Sequence, residues 1–320
     1  MRAVVVTRYG PPEVLNLREV ERPSVGEGDV LIRVHATTVT AADYRLRALN
    51  MPAGMRLMGR LAIGVRKPRK PVLGQVVSGV VEVAGAGVER FRSGDEVFGL
   101  TGGGGYADYV AVNADGPLAL QPEGLTHGEA AALPFGGHTA LHFLREGGIR
   151  KGDRVAVYGA SGDVGTAAVQ LAKHFGATVT AVCSSRNIER VRSLGADIVL
   201  DYTTDTIPPP DARYDIVMET VGETSYRRWK QSMAPGARFL MIAGGVPDYL
   251  RMIPTNFFGD HRIIAGVARA DAGSIEFLRT RAEAGELRPV IERTYPLDRI
   301  VEAHRHADTG RKVGSLVIEL

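Results

Sequence analysis

Cysteine is almost missing from this chain of 320 residues: Cys183 is the only one. That excludes an internal disulfide framework and a multi-cysteine metal site. Long apolar runs are missing as well. The apolar stretches are strand-sized and broken by glycine or charge, and none approaches the roughly 20 residues that a membrane-spanning helix needs. The opening β-branched run stops at Gly10-Pro11-Pro12, so it reads as a first strand and a turn, not as a signal peptide. A cytoplasmic location and no membrane partner are the expectation. Strong charge of either sign is also lacking, since 39 Lys and Arg face 36 Asp and Glu, a net +3. The densest basic stretch, Arg66-Lys67-Pro68-Arg69-Lys70, has no interleaved aromatics and no nucleic-acid motif around it. It reads as a solvated loop or as a segment that helps attract an anionic ligand. No nucleic-acid partner is expected.

What is present belongs to a soluble, folded chain of two domains: 44% apolar and 23% charged residues over a length too great for one ordinary core. Up to about Pro122 the sequence runs in short β segments divided by Gly, Pro and Asp, among them Asp29–Ala36, Val76–Val83 and Tyr106–Val112. Such spacing suggests a small, mostly antiparallel, barrel-like domain. Within it, Asn50–Lys70 has no strand periodicity and reads as a loop or a broken helix near a site mouth. From Glu123 the pattern changes to alternating helices and strands. Thr126–Leu144 reads as one helix with Thr126 as N-cap and Glu129 three residues on. Six β runs follow, Arg154–Tyr158, Thr178–Cys183, Asp197–Leu200, Asp215–Glu219, Ala237–Ile242 and Arg262–Ala265, with helical stretches between most of them. That is the signature of a doubly wound parallel sheet in an α/β fold. The expected division is residues 123–265 for this second domain and 1–122 for the first, completed by 266–320 packing back onto it.

Between the strand Arg154–Tyr158 and the next helix lies Gly159-Ala160-Ser161-Gly162-Asp163-Val164-Gly165. A glycine-rich turn in this position lets backbone N–H groups and a helix N-terminus approach a pyrophosphate. Ala160 stands at the first glycine position of the usual G-x-G-x-x-G, Gly162 allows close pyrophosphate approach, and Gly165 allows close helix–strand packing. A dinucleotide cofactor is therefore expected. At the end of the second strand, where an acid would hold the ribose of NAD, the chain has Cys183-Ser184-Ser185-Arg186-Asn187 instead. Hydroxyls and a guanidinium suit a 2′-phosphate, with Ser184 and Arg186 as ligands and Tyr202 as a further donor. NADPH is the cofactor this implies, although Arg186 also reads as a solvated first-turn residue.

These residues resemble the medium-chain dehydrogenase/reductase superfamily, and within it the quinone oxidoreductase branch. The resemblance runs through Gly74–Val81, Gly94–Gly99, Gly104–Tyr109, Leu133-Pro134 with Thr139-Ala140, the Ala160–Gly165 turn, Glu219–Gly222 and Gly314–Ile318. It implies a GroES-like domain plus a Rossmann domain, an active cleft between them, and a homodimer. The zinc-dependent members resemble one another in a Cys-x-x-Asp and a Gly-His-Glu segment. Here these read Thr40-Ala41-Ala42-Asp43 and Gly74-Gln75-Val76, so no metal ligand set is expected.

Without a Lewis acid, oxidising a simple alcohol is hard, whereas adding hydride to a conjugated C=C or a quinone needs less help. The implied activity is reduction of a quinone or an α,β-unsaturated carbonyl compound. Two other readings stay open: an NADPH-binding redox-sensing protein with little turnover, and a carbonyl or alcohol dehydrogenase. By resemblance, Asp43, Tyr44 and Arg45 line the nicotinamide end. Asp43 would orient a ribose or a side chain, Tyr44 would donate a proton or hydrogen bond, and Arg45 would stabilise charge. The same three also read as a local Asp43–Arg45 pair and a packed aromatic. Thr139 resembles the threonine beside the nicotinamide. Val221, Ala243 and Gly244 sit at later strand ends, and Lys312 reads either as a cofactor contact or as a loop lysine. His138, His142, His304 and His306 read as ordinary histidines.

Overall fold

The computed structural model describes residues 1–51, 54, 56–242 and 244–320, which fold as two compact units. The first opens with β1 (Arg2–Val6), β2 (Leu15–Glu19) and β3 (Asp29–Thr38), followed by the helices α1 (Ala41–Ala48) and α2 (Arg56–Ile63). It continues with β4 (Val76–Ala84), β5 (Glu96–Leu100), β6 (Tyr109–Asn113), β7 (Leu118–Leu120) and α3 (His127–Ala131). Next, α4 (Pro134–Glu146) leads the chain into the second unit, which holds β8 (Arg154–Tyr158), α5 (Asp163–His174), β9 (Thr178–Cys183), α6 (Ile188–Ser193), β10 (Ile198–Asp201), β11 (Tyr214–Glu219), α7 (Tyr226–Trp229), β12 (Met233–Met241), α8 (Val246–Phe258) and β13 (Arg262–Ala265). The chain then returns to the first unit as α9 (Ala272–Glu283), β14 (Ile291–Pro296), α10 (Ile300–Asp308) and β15 (Ser315–Glu319).

In the first unit a seven-stranded sheet is centred on β3, which pairs antiparallel with β4, β6 and β15. On one face of β3, Val30, Ile32 and Val34 join Val77, Val81, Val97, Val110 and Leu118 in one apolar cluster, while Leu31 and Thr37 are buried on the other face. A second cluster gathers Val4, Val6 and Tyr106 with Ile300, Ala303, Leu316 and Ile318, so the last fifty residues complete this core.

The second unit is a six-stranded sheet, parallel throughout, in the order β10-β9-β8-β11-β12-β13. That order steps outward from β8 in both directions, so the ends of β8 and β11 flank the point where the winding reverses. With the sheet of the first unit, this is the GroES-like plus Rossmann architecture. The single Trp229 is fully buried against Tyr158 and Tyr214 in the second core.

Two predicted helices differ in the structure. Thr126 and Glu129 do form a reciprocal capping box, but the helix ends after Ala131 and a separate one starts at Pro134, because proline offers no N–H to continue the ladder. The division between units falls after Phe135, later than the change of pattern at Pro122. Thr224–Met233 shortens to the single turn of α7 plus a 3-10 turn, since Met233 already starts β12.

Candidate cofactor and catalytic sites

In the second unit, β8 runs straight into the glycine-rich turn. Gly159 sits at φ +81°, and its N–H and that of Ala160 both donate to Val182 O, at 3.1 and 3.0 Å. Gly162 is the N-cap of α5 and no side chain caps it. The N–H groups of the helix's first turn have no partner within the helix, so the turn presents a row of donors at the positive end of a helix dipole. A Cβ on Gly165 would lie 2.1 Å from Gly159 O and 2.7 Å from Ala160 Cα, whereas a Cβ on Gly162 would meet nothing nearer than 3.6 Å. Gly165 thus lets the helix press on the turn, and Gly162 leaves the outer face open. Ser161, Asp163 and Val164 are half-buried along that face. These residues fit a dinucleotide pyrophosphate.

Beside the turn, the buried Asn187 donates to Ser161 Oγ at 3.0 Å and to Ser184 Oγ at 3.2 Å, which fastens the segment after β9 to the turn. Arg186 and Tyr202 are exposed at the same corner, and Tyr202 N–H donates to Cys183 O. The acid missing after β9 arrives from the neighbouring strand. Asp201 pairs in register with Cys183, accepts the Ser185 hydroxyl on one oxygen, and accepts Thr203 N–H (2.9 Å) and Oγ (2.7 Å) on the other. The Ser185 bond is foremost in holding its carboxyl below the usual range. Sequence reading missed both Asn187 and Asp201. Their signal was cross-strand register, which a motif search along one strand does not see.

Across the switch point, Thr220 Oγ donates to Tyr158 O at 2.8 Å, and Glu219 Oε1 accepts the N–H groups of Val221 (3.0 Å), Gly222 (2.7 Å) and Glu223 (3.4 Å). Glu219 thereby ties down the loop that exposes Val221, while burial pushes its own carboxyl up. Thr139 is buried on α4, its hydroxyl 3.4 Å from His138 Nδ1. Gly244 is buried after β12, and the neighbouring candidate Ala243 lies outside the described residues. Burial pushes the Cys183 thiol up to about 11, so it is no thiolate at neutral pH.

In the first unit, Thr40 is the N-cap of α1. Its N–H (3.0 Å) and hydroxyl (2.6 Å) donate to Asp43 Oδ2, Asp43 N–H returns a bond to Thr40 Oγ, and Gly74 N–H reaches Asp43 Oδ1 at 2.9 Å. Both oxygens of the fully buried Asp43 are thus engaged by Thr40 and Gly74, and not by Arg45 as the alternative reading had it: the carboxylate holds the start of α1 against the Gly74 loop. Burial, opposed by these bonds, pushes the Asp43 carboxyl up. Tyr44 and Arg45, next along the helix, are half-buried, and Tyr44 packs on the second cluster of this unit. Gln75 is half-buried and Val76 is buried inside β4. Lys312 donates to Gly314 O at 2.7 Å.

His304 is not ordinary. It is fully buried, with Nε2 3.2 Å from Tyr106 Oη and Nδ1 3.4 Å from Arg47 Nη1. Arg47 is 1% exposed and its Nη2 donates to both Asp308 oxygens, at 2.7 and 2.9 Å. This chain of polar groups joins α1 to α10. Nothing in the local sequence marks it.

Comparison with known proteins places the whole chain among oxidoreductases of one family. The alcohol dehydrogenase GroES-like domain profile matches residues 26–122, and the zinc-binding dehydrogenase profile matches residues 194–318. The chain is 32% identical to a 2-methylene-furan-3-one reductase of Solanum lycopersicum, over 99% of this chain and 79% of that one. It is 29% identical to an NADPH-dependent alkenal/one oxidoreductase, chloroplastic, of Arabidopsis thaliana, over the same shares. The solved quinone oxidoreductase of Coxiella burnetii superposes with a TM-score of 0.87 at 27% identity, covering 100% of this chain and 99% of that one.

Proposed function

The chain belongs to the medium-chain dehydrogenase/reductase superfamily, in its quinone oxidoreductase branch, and from that premise we propose that it is an NADPH-dependent, zinc-independent reductase of quinones or α,β-unsaturated carbonyl compounds. An oxidoreductase using a nicotinamide cofactor is what the family supports at the coarser level. The observation that carries the reading is the turn from β8 to α5, open at Gly162 and closed at Gly165.

The backbone N–H groups of Ser161, Asp163 and Val164 would hold the pyrophosphate at the α5 N-terminus, while those of Ala160 and Gly162 keep the turn closed on Val182 O and Gly159 O. Ser184, Arg186 and Tyr202 take the 2′-phosphate, with Asn187 positioning Ser184. Asp201 supports the corner by fixing Ser185, and its oxygens are spent on protein donors. Thr139, Val221, Ala243, Gly244 and Lys312 serve the nicotinamide half. The chemistry that NADPH would supply when bound is hydride transfer to an already electrophilic carbon. Tyr44 Oη delivers the proton, Arg45 stabilises the developing oxyanion, and Asp43 acts at one remove by positioning α1.

Zinc independence rests on the donor set. Where zinc enzymes of the superfamily have ligands, this chain has Thr40 with its hydroxyl bonded to Asp43, Gln75, and Val76 buried in a strand. A cytoplasmic homodimer completes the proposal on the family's example.

The test is cofactor oxidation, NADPH against NADH, over a panel of quinones, enones, enals and simple ketones, with and without a chelator. Turnover of conjugated acceptors with an NADPH preference, indifferent to chelation, is the expected result. Loss of turnover on chelation would overturn the metal-free part. Tight NADPH binding with no acceptor turned over would turn the reading to a redox-sensing binding protein.

A further inference from the structure

Between Asp43 and Glu82 the chain has no acidic residue, and the stretch 56–70 alone carries six Lys and Arg. The first half of 56–70 is α2. Leu57 and Leu61, one turn apart, are 72% and 60% exposed, and Val65, just past the helix end, is 62% exposed. Arg60, Arg66, Lys67 and Arg69 are exposed around them. The segment is built rather than trailing. Tyr9 Oη donates to Gly64 O at 2.7 Å, Arg69 N–H closes onto Ile63 O at 2.8 Å, and the Arg69 guanidinium reaches Leu61 O at 3.1 Å. These bonds fold the basic loop back against the end of the helix, so an apolar face and a set of cations share one surface.

We propose that α2 and the loop after it dock the protein onto an anionic lipid bilayer. Aliphatic side chains on one face of a short helix enter the boundary between headgroups and acyl chains, while long basic side chains reach lipid phosphates and carboxylates. Charge complementarity selects this occupant: no carboxylate in the stretch opposes an anionic headgroup. Nucleic acid fits less well, because the segment has no aromatic ring to stack on bases and would leave Leu57 and Leu61 in water. The exposed Leu250, Phe257 and Phe258 of α8 differ in this respect, since Asp248 and Asp260 lie among them and nothing on that face selects a partner. The expectation of no membrane partner is thereby revised to a protein that lies on a membrane without spanning it. Among the described residues no helix is long and apolar enough to cross one. The inference is independent of which acceptor the enzyme reduces.

The experiment is flotation of the full chain with vesicles of phosphatidylcholine alone or with a third phosphatidylserine, at low and high salt. Binding should be about tenfold stronger on the anionic vesicles and fall away in high salt. The double variants Leu57→Ser/Leu61→Ser and Arg66→Gln/Lys67→Gln should each weaken it by about tenfold, with reduction of a water-soluble quinone retained. Equal binding to neutral vesicles, or none to either, overturns the proposal. So does an apolar-face variant that raises KM for the soluble acceptor while flotation is unchanged, which would assign the face to the site mouth. A sizing experiment in which that variant turns a dimer into a monomer, with no flotation in the parent, would assign the face to a second copy.

Discussion

Acidification from about pH 7.5 to about pH 5 should cost the first unit about 2 kcal/mol through His304 alone. Arg47 Nη1 can only donate, so His304 Nδ1 accepts and the ring proton sits on Nε2, facing Tyr106 Oη. A second proton would have to enter at Nδ1, against a guanidinium and with no solvent access. Burial first, and Arg47 second, push the imidazole down from 6.5 to about 3. In the unfolded chain the ring takes up its proton below pH 6.5, and in the folded chain only near 3. The unfolded state therefore binds more protons across that window, and stability falls as the pH drops through it. The full window is worth about 4–5 kcal/mol at 1.36 kcal/mol per pH unit, and about 2 kcal/mol is already lost near pH 5. The assay is urea unfolding of the parent and of His304→Gln at both pH values, followed by far-ultraviolet circular dichroism. Fluorescence of Trp229 would report the second unit only. Gln keeps an amide donor for Tyr106 but does not titrate. It should be about 1–3 kcal/mol less stable near neutrality, and the gap should close by about 2 kcal/mol near pH 5. The stacked pair His35 and His127 is also pushed down, chiefly by burial, but it is common to both proteins and cancels in the comparison. An identical pH dependence in parent and variant would refute the reasoning.

Gly165→Ala places a Cβ against Gly159 O and should cost the second unit about 1–3 kcal/mol in thermal or urea unfolding, whereas Gly162→Ala should leave stability within about 0.5 kcal/mol and raise the cofactor KM. A silent Gly162→Ala would remove the turn from the pyrophosphate site. Arg186→Ala should raise KM for NADPH about tenfold while KM for NADH stays within about twofold, since only the 2′-phosphate loses a charged partner; an equal change in both would sink that role. Tyr44→Phe keeps the ring packed on its cluster and should lower kcat by about a hundredfold with little change in melting temperature. Unchanged kcat would pass the proton to solvent.

The doubly wound half was legible because its signals are local. The six β runs, the glycine turn and the Thr126–Glu129 cap each lie within a few residues, and each has its counterpart in the sheet order and in α3. The misses have equally local causes. Pro134 split one expected helix, and prolines in the first turn and interior of α8 hid a helix whose existence the surrounding fold decides. Within Asn50–Lys70, the strand-period search missed α2, whose Leu57 and Leu61 face outward one turn apart.

The sequence by itself determined the fold class, the family and the glycine-rich turn between β8 and α5, since these depend on residue types at short, fixed spacings. Only the tertiary structure decided what Asp43 does, which acid stands near Ser185, and that His304 is locked between Tyr106 and an arginine 257 residues away. Burial and pairing across strands and helices set the charge and partner of a side chain, and neither is written in its neighbours along the chain.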